Sequence, residues 1–391
     1  MNNLRFPYSR ADLNNSDIKA VVKVLEKQYL AQGEVVKSFE DNLQKKFNVS
    51  QAVICNSGTA ALHSLYRGVG LNKKNGIITS PITFLATANA ARMCNAPVFF
   101  ADVDKTTGLI TPKSLKEAFK RVTFKVKAVV VVHLGGHLCD LESLSKIAKK
   151  HNSYIIEDAC HALGAVYYGK KKGFIGSCKY SLATTFSFHA IKNITMGEGG
   201  AVTTNDLSLA NKIRLNISHG MIRDKKKMIN PPDNSPWYYQ MIDYGWNYRA
   251  SEISCALGLS QFKRITKIIN KRNTIANLYK DYLSNNKFII LPDFGSKNDD
   301  KGWHLFQLYI NFEKLKIKKQ EFIKYLKKYS IGSQVHYIPL VFQPYYSKHF
   351  EKKFLIGSYT FYKNTISIPM YTSLTKKNIK YITRVINAFF N

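Results

Sequence analysis

Short apolar runs alternate with amphipathic segments between residues 51 and 204. The runs have strand length and lie at Gln51–Cys55, Gly76–Ser80, Val98–Asp102, Ala128–His133, Tyr154–Asp158, Ala183–Phe188 and Ala201–Thr204. Between them, apolar residues recur at helical spacing in Thr59–Gly68, Phe84–Cys94, Pro112–Arg121 and Leu141–His151. Continuous apolar runs are typical of strands buried on both faces. The alternation therefore predicts an α/β fold with a mainly parallel seven-stranded sheet flanked by helices.

The pattern changes in the last third of the chain. Residues 250–282 have apolar positions at helical spacing, and after Pro292 strands and helices resume in a different order. We expect a large domain over residues 1–265 and a smaller C-terminal α+β domain over residues 266–391. A chain of 391 residues with 45% apolar residues is long enough to bury such a core.

Residues 221–246 show no helical period and are rich in Pro, Asn, Lys and aromatic residues. We interpret this segment as a long functional loop at the active site. The alternative is a disordered insertion. A group of aromatic residues favours packing over disorder, namely Trp237, Tyr238, Tyr239, Tyr244 and Trp246.

The chain is strongly basic, with 58 Lys and Arg against 26 Asp and Glu, a net charge of +32. Such a charge could serve a nucleic-acid partner. However, the lysines occur in short clusters scattered over predicted loops and helix ends, without a recognised nucleic-acid module. A bias toward Lys, Asn and Ile explains the charge as well, so we expect no nucleic-acid partner. An anionic small substrate would still be attracted.

The apolar runs and the cysteine spacing bear on the compartment of the protein and on metal binding. It has no run of eighteen apolar residues and no apolar segment of signal-peptide length at its start, so we expect a cytoplasmic protein without a membrane partner. The six cysteines lie far apart with no CxxC pair. This spacing predicts reduced thiols and no metal site.

Lys192 carries the strongest chemical signal. Apolar strand residues, Phe186 and Phe188, precede it, and the turn Gly197–Gly200 follows it. Most lysines in so basic a chain are simply solvated. A lysine at the mouth of a packed sheet differs, because desolvation keeps its amine partly neutral and a neutral amine condenses with an aldehyde. The aldehyde that we expect is pyridoxal 5′-phosphate.

A second motif, Asn56–Leu62, closes one predicted strand and opens a helix. Gly58 lets the backbone approach an anion, the hydroxyls of Ser57 and Thr59 donate hydrogen bonds, and the helix N-terminus supplies free N–H groups. This is the pattern of a phosphate cradle. A simple helix cap gives the same pattern.

Further candidates follow other predicted strands. Asp158 ends an apolar strand and could pair with a protonated pyridine nitrogen, or it could cap the next helix. His161 could bond the ring's phenolic oxygen, or it could be an ordinary half-buried histidine. Phe84 could stack on a flat ring or belong to the core. Asn247, in the trio Asn247–Arg249 before a helix, could reach a phosphate.

Together these motifs resemble the DegT/DnrJ/EryC1/StrS family of sugar aminotransferases, which have the fold of type I pyridoxal-phosphate transferases. The resemblance covers nearly the whole chain. Its motifs are Gln32–Gly33, Asn56–Leu62, Pro81–Phe84, Glu157–Gly164, Ser187–Gly200, Asn247–Arg249 and Val335–Leu340.

The resemblance implies roles for single residues. Lys192 would form the Schiff base and then move the proton, and Asp158 would hold the pyridine nitrogen. Phe84 would stack on the ring, and His161 would stand where many members carry glutamine. Ser57, Gly58, Thr59 and Ser187 would bind the cofactor phosphate, and Asn247 would reach the phosphate of the neighbouring subunit in a homodimer with shared active sites. Candidates for sugar or donor contacts are Tyr8, Gln32, His219, His336 and Tyr337.

Several short sequences are most similar to members of pseudaminic acid biosynthesis, including Phe6–Ser9, Tyr29–Gly33 and Ser218–Met221. They imply transfer of the amino group of L-glutamate to C4 of a UDP-linked 4-keto-6-deoxy-N-acetyl sugar. Alternatives are transfer to another nucleotide-linked keto sugar, a sugar dehydratase of the same fold, and a ligand-binding regulator. Lys192 disfavours the dehydratase, which typically carries histidine there.

Overall fold

The computed structural model describes residues 4–230, 235–292, 300–347 and 354–390. Its main sheet is built from β1 (Gln51–Cys55), β2 (Asn75–Thr79), β3 (Val98–Phe100), β4 (Lys125–Val132), β5 (Tyr154–Asp158), β8 (Ala183–Ser187) and β9 (Gly200–Thr204). The strand order is β1-β9-β8-β5-β4-β2-β3. Only β9 runs against its neighbours; the pairs β2–β3, β2–β4, β4–β5 and β5–β8 are parallel. The predicted mainly parallel seven-stranded sheet is confirmed.

Helices cover both faces of this sheet. They are α1 (Asn15–Glu26), α2 (Glu34–Phe47), α3 (Gly58–Val69), α4 (Leu85–Met93), α5 (Pro112–Arg121), α6 (Leu141–Lys150), α7 (Leu207–Asn216) and α8 (Glu252–Phe262). Successive β4 residues point to opposite faces, with Val129 and Val131 in one apolar core and Val130 in another. The continuous apolar runs in the sequence therefore reflect strands that are buried on both sides.

A smaller antiparallel sheet lies in the C-terminal part, with β12 (Ile289–Ile290), β13 (Phe306–Ile310) and β14 (Thr365–Ile368) in that order. The helices of this part are α9 (Ile265–Leu283), α10 (Lys319–Lys328), α11 (Pro344–Ser347), α12 (Ile356–Asn364) and α13 (Lys376–Ala388). Helix α9 contributes Ile268 to a core of the main sheet and Tyr279 to the core of the smaller one. The domain boundary between residues 265 and 266 stays a prediction.

The segment 221–246 contains a short antiparallel ribbon of β10 (Met221–Ile222) and β11 (Gln240–Met241). Residues 231–234 of the segment lie outside the described residues. Its aromatic residues divide into two groups. Tyr244 and Trp246 pack against the guanidinium of Arg67, whereas Trp237 and Tyr239 are exposed.

The remaining short elements are a ribbon of β6 (Val166–Tyr167) with β7 (Gly173–Phe174) and the 3-10 turns Leu134–Gly136, Lys225–Lys227 and Leu340–Phe342. Among the helices that the structure describes, none is long and apolar enough to cross a membrane.

Candidate active site

A cavity of about 670 Å³ opens where the parallel strands of the main sheet end. Binding sites in such sheets form at the carboxyl ends of the strands. Eleven of the residues singled out in the sequence line it, namely Tyr8, Ser57, Gly58, Thr59, Phe84, Asp158, His161, Ser187, Lys192, His336 and Tyr337. Three others do not line it, namely Gln32, His219 and Asn247.

Lys192 lies in the loop between β8 and β9. The loop is held by backbone hydrogen bonds from Lys192 to His189 (2.9 Å) and from Met196 to Phe188 (2.8 Å). Burial lowers the pKa of the Lys192 amine, and the nearby Cys160 and Asp158 oppose this shift. The net direction favours the neutral amine, which is the form that acts as a nucleophile or base.

The cradle expected at Asn56–Leu62 forms at the start of α3. Ser57 caps the helix, with its Oγ accepting from the backbone N–H of Ala60 at 3.0 Å. The first-turn amides of Gly58 and Thr59 have no acceptor inside the helix, so they remain for an anion. A Cβ at Gly58 would stand 2.9 Å from the Cβ of Ser187. Glycine at this position therefore brings the helix start and β8 together.

Asp158 ends β5 and is 5% exposed. Its Oδ2 accepts from Thr87 Oγ1 at 2.6 Å, and its Oδ1 accepts from the backbone N–H of Cys160 at 3.2 Å. Within the described ranges, Asp158 forms no ion pair with a lysine, arginine or histidine. A buried carboxylate that faces a cavity without a cation of its own suits a ligand that brings positive charge.

His161 and Tyr337 join the two parts of the chain across the cavity. The Nδ1 of His161 accepts from the backbone N–H of Gly135 at 3.2 Å, and its Nε2 lies 3.2 Å from the Tyr337 hydroxyl. Burial lowers the pKa of His161 well below its usual value, and Lys192 and His336 add to the effect. Both ring nitrogens thus have protein partners in the chain itself. The contact with the phenolic oxygen that the sequence suggests for His161 stays a prediction.

Three more predicted contacts line the same wall. Burial lowers the pKa of His336 to about 3, and its Nδ1 lies 2.8 Å from Ser367 Oγ. The Tyr8 ring lies 5.7 Å from the His336 ring, and burial raises the pKa of Tyr8. Phe84 is 56% exposed at the mouth of the cavity, so its ring is available for stacking.

The three predicted residues outside the cavity are Gln32, His219 and Asn247. Gln32 and His219 both have positive φ values, 55° and 58°, and His219 donates its backbone N–H to Trp246 at 3.1 Å. Asn247 is exposed, and its carbonyl accepts from Asn56 Nδ2 at 3.2 Å. Each of the three predicted roles would need a contact that this chain alone does not make.

Three residues that were not singled out as site residues support the site, namely Thr83, Thr87 and Gly135. Thr87 donates to Asp158, and the Thr83 and Thr87 hydroxyls lie 2.7 Å apart. Thr87 lies inside the predicted helix Phe84–Cys94, and nothing in the local sequence indicated its contact with Asp158. The backbone amide of Gly135 fixes His161, and no side-chain pattern could have indicated it.

The cavity fits pyridoxal 5′-phosphate on three independent features. The α3 start and Ser187 provide an anion cradle, Asp158 provides a buried negative charge, and Lys192 provides an amine with a lowered pKa. Phe84 adds an aromatic face. Together they match the phosphate, the ring nitrogen, the aldehyde and the flat ring of that cofactor.

Comparison with known proteins agrees with this fit. The profile of the DegT/DnrJ/EryC1/StrS aminotransferase family matches residues 11–387. The chain is 36% identical to the spore coat polysaccharide biosynthesis protein SpsC of Bacillus subtilis over 95% of this chain and 94% of that protein. It is also 36% identical to the UDP-4-amino-4,6-dideoxy-N-acetyl-beta-L-altrosamine transaminase of Campylobacter jejuni, over 96% and 95% of the two chains.

Among solved structures, the fold is similar to that of Helicobacter pylori PseC, described as an aminotransferase involved in the biosynthesis of pseudoaminic acid. The TM-score is 0.88 and the identity 33%, with 98% of this chain and 99% of that chain covered. The fold-type I architecture expected from the sequence is confirmed. The chain belongs to the DegT/DnrJ/EryC1/StrS aminotransferase family, and it is a pyridoxal-phosphate-dependent aminotransferase.

Proposed function

We propose that the protein transfers the amino group of L-glutamate to C4 of a UDP-linked 4-keto-6-deoxy-N-acetyl sugar in pseudaminic acid biosynthesis. The observation that carries the proposal is the meeting of Lys192, Asp158 and the α3 cradle in one cavity of about 670 Å³. The sugar is supported by the names of the Campylobacter transaminase and the Helicobacter structure.

The cofactor, when bound, would supply an aldehyde that can carry an amino group and a ring that withdraws electrons. The protein's own residues then have separate tasks. Lys192 Nζ, whose pKa is lowered by burial, would accept and return a proton at the reacting carbons. Asp158, fixed by Thr87, would hold the positive charge of the ring nitrogen. Ser57, Gly58, Thr59 and Ser187 bind the phosphate.

The proposal includes a homodimer in which Asn247 reaches the neighbouring subunit's phosphate. Two observations support it. The Asn247 side chain is exposed and lies outside the cavity of its own chain. Apolar side chains are also exposed on the same segment, with Trp237 at 79% and Met241 at 67%. Exposed apolar surface of this kind marks an interface.

The proposal also includes a cytoplasmic location. All six cysteines are free thiols, and three of them, Cys55, Cys139 and Cys255, are buried. Disulfides persist in oxidising compartments, so a chain with six unpaired thiols suits a reducing one. Surface labelling of intact cells against labelling of a lysate would test this part, because a cytoplasmic protein is labelled only after lysis.

The absorption spectrum of the purified protein tests the proposed reaction. The band of bound cofactor should bleach with L-glutamate and return with UDP-2-acetamido-2,6-dideoxy-β-L-arabino-hexos-4-ulose. A band that returns only with another 4-keto sugar would retain the aminotransferase and overturn the sugar. That second candidate, another nucleotide-linked keto sugar, is supported by the equal identity to SpsC, which is named for spore coat polysaccharide biosynthesis. No bleaching with glutamate would overturn the donor.

A further inference from the structure

The hydrogen-bond partners of His161 determine which nitrogen of its ring carries the proton. A backbone amide can only donate, so the N–H of Gly135 at 3.2 Å requires a lone pair on Nδ1. The ring is neutral, because burial holds the pKa of His161 well below its usual value. The single ring proton therefore lies on Nε2, the nitrogen that faces Tyr337.

The direction of the hydrogen bond to Tyr337 follows. With its proton on Nε2, His161 donates across the 3.2 Å to the phenolic oxygen, and that oxygen accepts. Burial raises the pKa of the Tyr337 hydroxyl, and the negative charge of Asp158 adds to the effect. Tyr337 thus keeps its own hydroxyl proton, and it cannot donate that proton to His161, because Nε2 already carries one. Among the residues that the structure describes, no other side chain or carbonyl accepts it.

The unused proton faces the space in which the reaction occurs. Tyr337 lines the cavity together with Lys192, Asp158 and Phe84, and its ring lies 6.2 Å from that of Phe84. A substrate whose reacting carbon sits beside Lys192 brings its carbonyl oxygen into the same cavity. That oxygen is an acceptor without a proton of its own. A fixed neutral donor aimed at a carbonyl oxygen polarises it.

We propose that Tyr337 donates its hydroxyl proton in a hydrogen bond to the carbonyl oxygen of the keto substrate. His161 is the positioning residue that keeps this proton turned toward the cavity. The inference rests on the proposed transfer between an amino acid and a keto compound. It assigns the contact to Tyr337 and leaves His161, both of whose nitrogens are occupied, without direct contact to the substrate.

The test uses the cofactor-loaded full-length enzyme and the keto acid 2-oxoglutarate, so that the identity of the sugar does not matter. The enzyme is first converted with L-glutamate, freed of small molecules, and mixed with 2-oxoglutarate while the returning cofactor band is followed. Tyr337→Phe should slow this single turnover by about a hundredfold, the loss typical of a missing proton donor. The spectrum of its resting form and the pH dependence of that spectrum should match those of the wild type.

Two His161 variants separate positioning from packing. His161→Leu cannot donate to Tyr337 and should also slow the turnover. His161→Gln should recover a large part of that rate, because its amide oxygen can accept from Gly135 while its NH₂ donates to Tyr337. Retention of the cofactor band in each variant confirms that the cavity is intact.

Several results would overturn the inference. One is a Tyr337→Phe variant that reacts within about threefold of the wild-type rate. A changed resting spectrum in Tyr337→Phe would mean that the hydroxyl bonds the cofactor and not the substrate. His161→Gln as slow as His161→Leu would remove the positioning role. A wild type that does not react with glutamate would overturn the proposed function as well, whereas the other results leave it standing.

Discussion

Two regions of the molecule differ in how much of their own chain surrounds them. The first is the cavity floor, formed by Ser57, Asp158, Ser187 and Lys192. The second is residues 218–249, which extend the segment 221–246 to include His219 and Asn247 and are called the segment below. Asp158 is 5% exposed and receives two hydrogen bonds from its own chain. In the segment, Trp237 is 79% exposed, Tyr239 is 55% exposed, and Asn247 faces solvent. One chain supplies all four residues of the floor to the cavity. The exposed residues of the segment, in contrast, do not reach the cavity of their own chain.

The difference matters for how each region should respond to mutation. Floor residues act on atoms that lie in the same subunit, so their substitution removes chemistry directly. Segment residues can act only through something that covers them, which the proposed homodimer would supply. Variants of the two regions should therefore differ in the size of their effects and in whether a second subunit can compensate.

The largest effect is expected for Lys192→Ala in the floor. The variant should bind the cofactor through the cradle and Asp158 but show no measurable turnover, because no other described amine lines the cavity. Single-turnover absorption with L-glutamate measures this. Lys212→Ala, which removes an exposed lysine of α7, is the matched control and should retain activity. Turnover by Lys192→Ala above a blank would contradict the assignment.

The second-largest effect is expected for Asp158→Asn. The amide keeps the shape and can still accept from Thr87 but loses the charge, so the rate should fall by about a hundredfold. The comparison variant Thr87→Val keeps the charge and loses the 2.6 Å hydrogen bond to Asp158 together with the contact to the Thr83 hydroxyl, so its loss of rate should be smaller. Steady-state rates at saturating cofactor provide the measurement. Equal losses in both variants would mean that orientation, and not charge, is what Asp158 contributes.

The floor was predictable because its residues stand where an apolar run stops. The strands Gln51–Cys55 and Tyr154–Asp158 have the bounds predicted from the sequence, since each is a short apolar run between polar turns. Ser57 and Asp158 follow directly from those bounds. Parallel strands place their carboxyl ends at one edge, so residues far apart in sequence were expected to meet there.

The supporting contacts were not predictable, because they depend on the order of strands in the sheet. Thr87 and Asp158 are 71 residues apart, and Tyr337 and His161 are 176 residues apart. No local pattern encodes such pairs. The segment was harder still, because aromatic residues predict packing equally well against the same chain or against another. In the structure Trp246 packs against its own chain and Trp237 does not.

An intermediate effect is expected for Asn247→Ala in the segment. Loss of one hydrogen bond to a charged group should weaken cofactor binding roughly tenfold. Asn230→Ala, an exposed asparagine of the same segment, is the control and should leave the affinity unchanged. Equilibrium titration of the cofactor band measures both.

Mixing subunits then decides whether Asn247 acts across the dimer. Neither Lys192→Ala nor Asn247→Ala has an intact site, but a dimer with one subunit of each would contain one. At a limiting cofactor concentration, the mixture should be more active than Asn247→Ala alone. Activity equal to the sum of the separate variants would place Asn247 in its own subunit's site and remove the argument for shared sites.

The smallest effect concerns His63, which lies where α3 of the floor meets the segment. Its ring contacts Trp246, with the ring centroids 4.5 Å apart, and its Nδ1 lies 3.1 Å from the Tyr248 hydroxyl. Burial, with the charge of Arg67 adding, lowers the pKa of His63 to about 4 from its ordinary 6.5. Between these values the unfolded chain binds more protons than the folded one, so stability falls as the pH falls.

His63→Gln should remove this dependence. At about pH 8 the histidine is neutral in both states. From there down to about pH 5 the wild type should lose roughly 1–2 kcal/mol more stability than the variant, a difference that urea unfolding at both pH values resolves. The other buried histidines are present in both proteins, so their contributions cancel in the comparison. If the two proteins lost equal stability over this pH range, protonation of His63 would not weaken the contact between α3 and the segment.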